Sequence, residues 1–447
     1  MSMRFAALLL GGFLHAPASA PPSEPAAPTE PAATAEATTT DAPKGAVAVD
    51  VILPCGARAI VAQDLSLPVA AVVLAIETGT EDDPPDQPGL VHALAYHLLQ
   101  GNREFAPGGI TRVVNDGGGV TSLAIGPAQV RFESLVPASL TDDIIAAEAS
   151  RLRAPSVSEA LWKDTLRWAR RDRGRTWALA ANARAAVHQA EGLGHDGARH
   201  ADTIATMSER AIGSQLADRF SYDRATIVVV SPEPPDLVIG RVLARFADLP
   251  EAPRRARDRS AAPRTGSSPR AFEIRGGHGQ LVWPIAADPA AQAWARALCS
   301  ALNHQKRDVG ESNRARLRCA IEDDPRRGLM IMRPSGVDDP VALVRARLAR
   351  LRESDAALLS TWRENVAEQL AFELRTPLAL ARHLARTRVD LPVGAHNARA
   401  LAELLGATAL AEPVPAELPA ALAPLFDVAA ATWLVEPGHG AGSEPAK

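Results

Sequence analysis

Apolar positions along the chain fall into short runs and helical stripes separated by polar, Pro- and Gly-bearing joints. Residues 46–53 and 69–77 are near-continuous apolar runs bounded by turn residues, as buried strands require. An apolar helical stripe covers 90–99, a Gly-rich turn follows at 117–119, and a strand run covers 129–136. Helical patterns then occupy 141–153 and 158–191. The β-branched run Thr226–Ser231 (TIVVVS) predicts a buried strand, and a helix over 235–246 closes this half. The second half repeats the alternation coarsely. It has a strand at 280–284, helices at 289–302, 339–352, 356–374 and 376–388, and a strand near 431–435. Strands interleaved with helix pairs predict an α+β chain of two α/β lobes, each a mixed β-sheet covered by helices.

Three segments break that pattern. In residues 1–20, Arg4 precedes the apolar stretch Phe5–Leu14, which is too short to span a bilayer, and small residues follow at Ala16, Ala18 and Ala20. This reads as a secretory signal peptide, cleaved after Ala18 rather than next to Pro21. Residues 21–46 are Pro, Ala, Thr and Glu with almost no large apolar side chains, which predicts a disordered tether. Residues 251–269 (EAPRRARDRSAAPRTGSSP) lack an apolar stripe and read as a linker. The lobes are therefore expected at 47–250 and 270–440, with a tail at 441–447. A signal without a later transmembrane stretch predicts a periplasmic or secreted protein.

Composition narrows the function classes. The 447 residues carry a net charge of −4, so there is no basic footprint for nucleic acid. Only four of the basic residues are lysines, a bias that looks like GC-rich coding preference and carries no functional weight. Three cysteines, Cys55, Cys299 and Cys319, cannot build a disulfide framework and contain no C-x-x-C zinc pair. An oxidising compartment leaves Cys299 and Cys319 either paired or free, with Cys55 expected buried and free. The arginines of 167–175 read as a solvated helix face, or alternatively as a contact for an acidic partner. Asp142 and Asp143 suit the positive end of a helix dipole.

Leu53-Pro54-Cys55-Gly56-Ala57 is similar to the L-P-N-G-L opening of the insulinase/pitrilysin family of zinc peptidases. The run from Gly79 through Pro84 and Gly89 to His92 resembles the family's approach to its H-x-x-E-H helix. Gly118-Gly119-Val120-Thr121-Ser122-Leu123 falls in register with its G-G-x-x-N-A strand start, and Phe132 and Val136-Pro137 continue the match. The resemblance covers most of 47–250, while 270–440 matches in layout and length only. It implies a metallohydrolase-like fold of two homologous lobes in a clam-shell arrangement. It also implies an edge strand that holds peptide by strand addition, here at Thr121, Ser122 and Leu123.

The departures fall on the chemistry. The family needs two histidines four apart on a helix, facing one metal, with a glutamate between them as general base. Here the run is His92-Ala93-Leu94-Ala95-Tyr96-His97. The base position is Ala95, the second ligand position is Tyr96, and only His92 remains. His97 lies one residue late, about 140° around a helix from His92 unless a π-bulge intervenes. The third ligand position falls at Arg171 or Asp172, and Asp172 sits among arginines that oppose a divalent cation. His92 then reads as a core histidine and Tyr96 as a ring filling the place of the metal.

The expectation is therefore a non-catalytic insulinase-like protein with no catalytic residue and no zinc or other cofactor. Its partner would be a homologous subunit with an intact H-x-x-E-H, and peptides are a further expected ligand. Two alternatives remain open. One is an active zinc peptidase with a rearranged site at His92, His97 and Asp172. The other is a free-standing envelope binding or scaffold protein.

Overall fold

Valine, isoleucine and alanine dominate the central strands of the first of two sheets, because both its faces are covered. The computed structural model describes residues 48–171, 204–255, 280–285, 289–304, 315–322, 328–352 and 374–386, with isolated positions at 187, 361, 364–365, 368 and 372. For 272–273 and 432–435 it describes the backbone alone. The expected signal peptide, tether, tail and Asp172 lie outside the described residues.

The first sheet holds β1 (Ala48–Ile52), β2 (Arg58–Gln63), β3 (Val69–Ile76), β4 (Val120–Ile125), β5 (Val130–Pro137) and β6 (Ala225–Ser231). Their order is β1-β2-β6-β3-β5-β4. β2 and β6 are parallel; every other pair is antiparallel. β6, the TIVVVS run, is buried along its whole length at the sheet centre. The second sheet holds β7 (Phe272–Glu273), β8 (Gln280–Pro284), β9 (Arg316–Glu322), β10 (Leu329–Ser335) and β11 (Thr432–Val435), in the order β7-β11-β8-β10-β9. Here β7 and β11 are parallel and the rest antiparallel. The second sheet thus repeats the first from β2 onward, strand for strand: β7 answers β2, β11 answers β6, and β9 answers β4.

The helices are α1 (Leu90–Gln100), α2 (Gly109–Asp116), α3 (Thr141–Arg153), α4 (Glu159–Arg171), α5 (Glu209–Arg219) and α6 (Pro235–Phe246). In the second half follow α7 (Pro289–His304), α8 (Pro340–Arg352) and α9 (Pro377–Arg386). Helices α1, α3 and α6 lie over one face of the first sheet and form the largest core with it, including Leu74, Leu94, Phe132, Ile144 and Val229. Helices α7 and α8 cover the second sheet, over Trp283, Met330 and Met332. No helix among the described residues is long and apolar enough to cross a membrane.

Two features qualify the expected division at 251–269. First, Arg254 is held on the first sheet by the carbonyl of Ala225 (2.7 Å), the hydroxyl of Thr226 (3.1 Å) and the carboxylate of Glu77 (3.0 Å). Gly56 takes φ +82° where the Ala252 carbonyl lies 2.6 Å from the place of a Cβ, so glycine is required there. Residues 251–255 are thus part of the first sheet's surroundings, and 256–269 lie outside the described residues. Second, α9 belongs to the second half in sequence but packs on the first sheet. Leu380, Ala381 and Leu384 cover Ile60, Val73, Val228 and Val230 on the face opposite α1.

Cys299 and Cys319 form a disulfide joining α7 to β9, with Cα atoms 5.2 Å apart. Cys55 is buried and free, and burial pushes its thiol up from the ordinary value.

Candidate functional site

The site expected from the sequence centres on α1 and the neighbouring strand β4. Helix α1 is fixed at both ends by buried charges. At its start, the Asp83 carboxylate accepts the N–H groups of Gly89 and Val91, both at 2.7 Å. This satisfies donors that a helix N-terminus leaves open and places a negative charge at its positive end. At its end, Arg151 donates to the Leu98 carbonyl. Arg151 is itself fully buried, paired with Glu148 at 2.8 Å and stacked 4.6 Å over the Phe132 ring. The helix cannot rotate or slide without breaking one of these groups.

Along this fixed helix the candidate residues separate. The His92 and Tyr96 rings lie one turn apart with centroids at 5.1 Å, as i and i+4 residues must. Ala95 is buried in the core and offers no proton-transferring group. His97 is turned elsewhere. Its Nε2 donates to the Ser156 carbonyl at 2.7 Å and its Nδ1 meets the Thr165 hydroxyl at 3.2 Å. Its ring packs edge-on against Trp162 of α4. Burial holds the His97 imidazole below its ordinary value, and the Ser156 carbonyl only partly offsets this. It is a neutral structural histidine joining α1 to α4.

Helix α1 is regular from Leu90 to Gln100, so no π-bulge brings His97 round to the His92 side. The donors present do not fit a zinc ion of the family type: His92 faces a tyrosine, the base position is an alanine, and both nitrogens of His97 are engaged. Among the described residues no three His, Cys, Asp or Glu side chains gather as a metal-holding group.

Thr121, Ser122 and Leu123 lie on β4, which pairs only with β5 among the described strands and forms one edge of the first sheet. Gly118 at φ +78° makes the turn from α2 into this strand, as the glycine run predicts. Leu123 points to the main core, opposite Phe132. Ser122 points to the other face and donates to Glu133 at 3.0 Å. Thr121 donates to the Glu133 carbonyl at 3.1 Å.

Glu133 is the functional-region residue that sequence reasoning missed. It is buried and also receives Arg131 (3.0 Å) and Arg382 of α9 (2.8 Å). Burial pushes its carboxyl up, but the two guanidinium groups outweigh this and hold it below the ordinary range. A glutamate inside an apolar strand run was the available signal. Its partner on α9, far along the chain, was not readable.

The Arg-rich stretch is described only in part. Lys163 and Arg167 make i,i+4 and i,i+3 ion pairs with Glu159 and Asp164 on the exposed face of α4. Asp142 lies in the first turn of α3, where the dipole favours it, and is paired with Arg245 of α6.

The order of strands, the helix layers and the placing of α1 beside an edge strand define a class: the fold is that of the insulinase-type proteases. Among solved structures it is similar to a protease from Helicobacter pylori, with TM-score 0.67 and 14% identity over 87% of this chain and 99% of that one. It is equally similar to the periplasmic protease PqqL from Escherichia coli, with TM-score 0.67 and 14% identity over 88% of this chain. It matches pitrilysin with TM-score 0.62 and 14% identity over 87% of this chain. The chain spans about half of the last two, 47% and 44% of their lengths, and 92% of the first half of PqqL. No protein-family model matches the chain and no curated protein matches its sequence.

Proposed function

We propose that this chain is a non-catalytic, insulinase-like subunit of the cell envelope that holds peptide and works beside an active homologue. The observation that carries this reading is the identity of two residues on a rigid helix. Ala95 and Tyr96 stand where a zinc peptidase of this fold keeps its base and second ligand. The regular course of α1 and the engagement of His97 by Ser156 and Thr165 support it, since neither loss is repaired from nearby.

The retained parts are those that handle a chain rather than cut it. Strand β4 keeps an edge on which an extended peptide can add through its backbone. Serine and leucine at 122 and 123 replace the side-chain grip of the family's Asn-Ala pair, so binding here is less selective. The chain's match to one half of PqqL supports a clam-like pair, in which a second half-sized chain with an intact H-x-x-E-H completes the chamber. The signal-like pattern of residues 1–20 and the periplasmic location of PqqL support a location in the periplasm or outside the cell.

The test is metal analysis combined with co-purification. The purified full chain should contain no stoichiometric zinc and cleave no unstructured peptide. A tagged copy should retain a homologous chain bearing H-x-x-E-H, with peptidase activity in the complex. Stoichiometric zinc lost together with activity in His92→Ala would overturn the reading in favour of the rearranged site. An inactive chain that stays monomeric beside such a homologue would leave the free-standing binding protein.

A further inference from the structure

The face of the first sheet opposite α1 is covered by α9 over β3, β6 and β5, and opens at the edge strand β4. Helix α9 runs opposite to β5: Gln129 reaches the Ala385 carbonyl and Glu133 meets Arg382. Val120 and Ser122 of β4 lie on this same face, because side chains two apart on a strand share a face. Val120 is 60% exposed and Ser122 is also exposed. Across the ladder, Val120 stands opposite Leu135, which packs at the margin of the α9 core, and Ser122 stands opposite Glu133. The open strip therefore has an apolar position and a polar one, side by side.

The polar position carries more positive charge than negative. The buried Glu133 carboxylate lies between two guanidinium groups, Arg131 at 3.0 Å and Arg382 at 2.8 Å. Ser122 and Arg382 meet at one atom, Oε2 of Glu133, which Ser122 reaches at 3.0 Å. The Arg382 guanidinium is thus held beside a side chain of the edge strand. It uses Nε and Nη2 on Glu133, while its Nη1 makes no hydrogen bond or ion pair among the described residues. The Arg382 side chain is 41% exposed, so this end of the fork faces solvent. Arg131 is turned inward along β5, with Nη1 on Gln129. One carboxylate cannot balance two guanidinium groups, and the surplus charge sits where the strip is open.

We infer that Arg382 and Ser122 select an acidic side chain in the peptide that adds to β4, with an apolar side chain two residues away against Val120. This rests on the reading of β4 as a peptide-holding edge. A peptide residue directly opposite Ser122 places its side chain on the same face, with Cβ atoms about 4.5–5.5 Å apart. Serine is short, so an acid there reaches past it to the outward nitrogens of Arg382, whose planar fork suits a carboxylate. Val120 lies two residues from Ser122, about 6.8 Å along the strand, which is the spacing of alternate side chains on the added peptide. A lysine or arginine opposite Ser122 would instead meet the surplus cation. Because Arg382 comes from the second half of the sequence, the second half sets what the first sheet's edge selects.

The test is fluorescence anisotropy with the full chain and a labelled Thr-Val-Thr-Glu-Thr-Val-Thr peptide, against the same peptide with Gln for Glu. Both peptides are blocked at their ends, so the glutamate is the one carboxylate, and the palindromic order serves either strand direction. The Glu peptide should bind roughly fivefold more tightly, and that ratio should shrink with salt. Arg382→Gln should bring the Glu peptide down to the Gln peptide and leave the Gln peptide unchanged. Ser122→Asp supplies a carboxylate from the edge itself and should abolish or reverse the preference; it stands in should Arg382→Gln fail to fold. Val120→Ser should weaken both peptides alike. Arg210→Gln, which removes an exposed charge on α5, should leave the ratio as it was. Equal binding of the two peptides by the parent chain would overturn the inference and leave the peptide-holding edge intact. So would an Arg382→Gln chain that loses both peptides equally, since Arg382 would then serve only to seat α9. Binding of neither peptide would overturn the edge reading and this inference with it.

Discussion

At the scale of single residues, one position separates His97 from a ligand role, and helix geometry turns that one position into a different contact. A residue at i+4 returns to the face of His92, which is where Tyr96 stands. The next residue faces α4 instead, where Ser156 and Thr165 hold it. This has a pH signature. The folded His97 titrates below the unfolded value of 6.5, so the unfolded state takes up the proton first. Its contribution to stability is fully present above pH 6.5 and is lost as pH falls from there toward the folded value. Urea midpoints measured across that window should fall with acid in the parent chain. His97→Gln should flatten this slope while leaving metal content unchanged. That His92 and His97 fall on different sides of α1 was legible in the sequence, because it depends only on spacing within one helix. What His97 does instead was not, because Ser156 and Thr165 reach it from a separate segment.

Among elements, α1 and α9 show two ways of fixing a helix. Helix α1 is held by charges at its termini. Asp83→Ala removes the acceptor for two N–H groups and should cost about 1–2 kcal/mol, the usual loss for a helix cap, measurable by urea unfolding. Arg151→Met leaves Glu148 charged and buried without its partner and should cost about 3–5 kcal/mol. Replacing Glu148 and Arg151 together by apolar residues should recover much of that loss, because it removes both buried charges. Helix α9 is held by burial. Leu384→Ala leaves a cavity against Val73 and Val228 and should cost about 2–5 kcal/mol.

The sequence pattern located most of these elements. The expected helix 235–246 and strand 280–284 coincide with α6 and β8, and 141–153 coincides with α3. Strands β2, β7, β9 and β10 escaped it. The run RAIVAQ of β2 is too short for periodicity to separate strand from helix. The strict alternation of RLRCAIE in β9 was a usable strand signal, carried by arginines rather than by the usual polar residues. The stripe of α9 marks it as a helix with one apolar face but cannot say which sheet that face will meet.

At the scale of the molecule, that destination changes what counts as a folding unit. Division at the Pro-rich segment suggests two halves that fold alone. Yet the face of the first sheet opposite α1 carries Ile60, Val73, Val228 and Val230, and its cover is supplied by Leu380 and Leu384 from the other half. Gln129 also donates to the Ala385 carbonyl at 2.8 Å, and Arg382 reaches the buried Glu133 beside the β4 edge. Each buried leucine is worth about 1.5–3 kcal/mol, comparable in sum to the whole stability of a typical domain once the valines they cover are counted. Residues 48–255 expressed alone should therefore expose this face, bind a hydrophobic dye and aggregate. A synthetic peptide spanning 372–390 should bind that fragment and suppress both effects, and the same peptide with Leu380 and Leu384 changed to Asp should not. If 48–255 instead unfolds cooperatively, without dye binding and indifferent to the peptide, α9 is an accessory. In the full chain, the interleaving predicts that Leu384→Ala lowers the unfolding midpoint of the first sheet even though it lies in the second half's sequence.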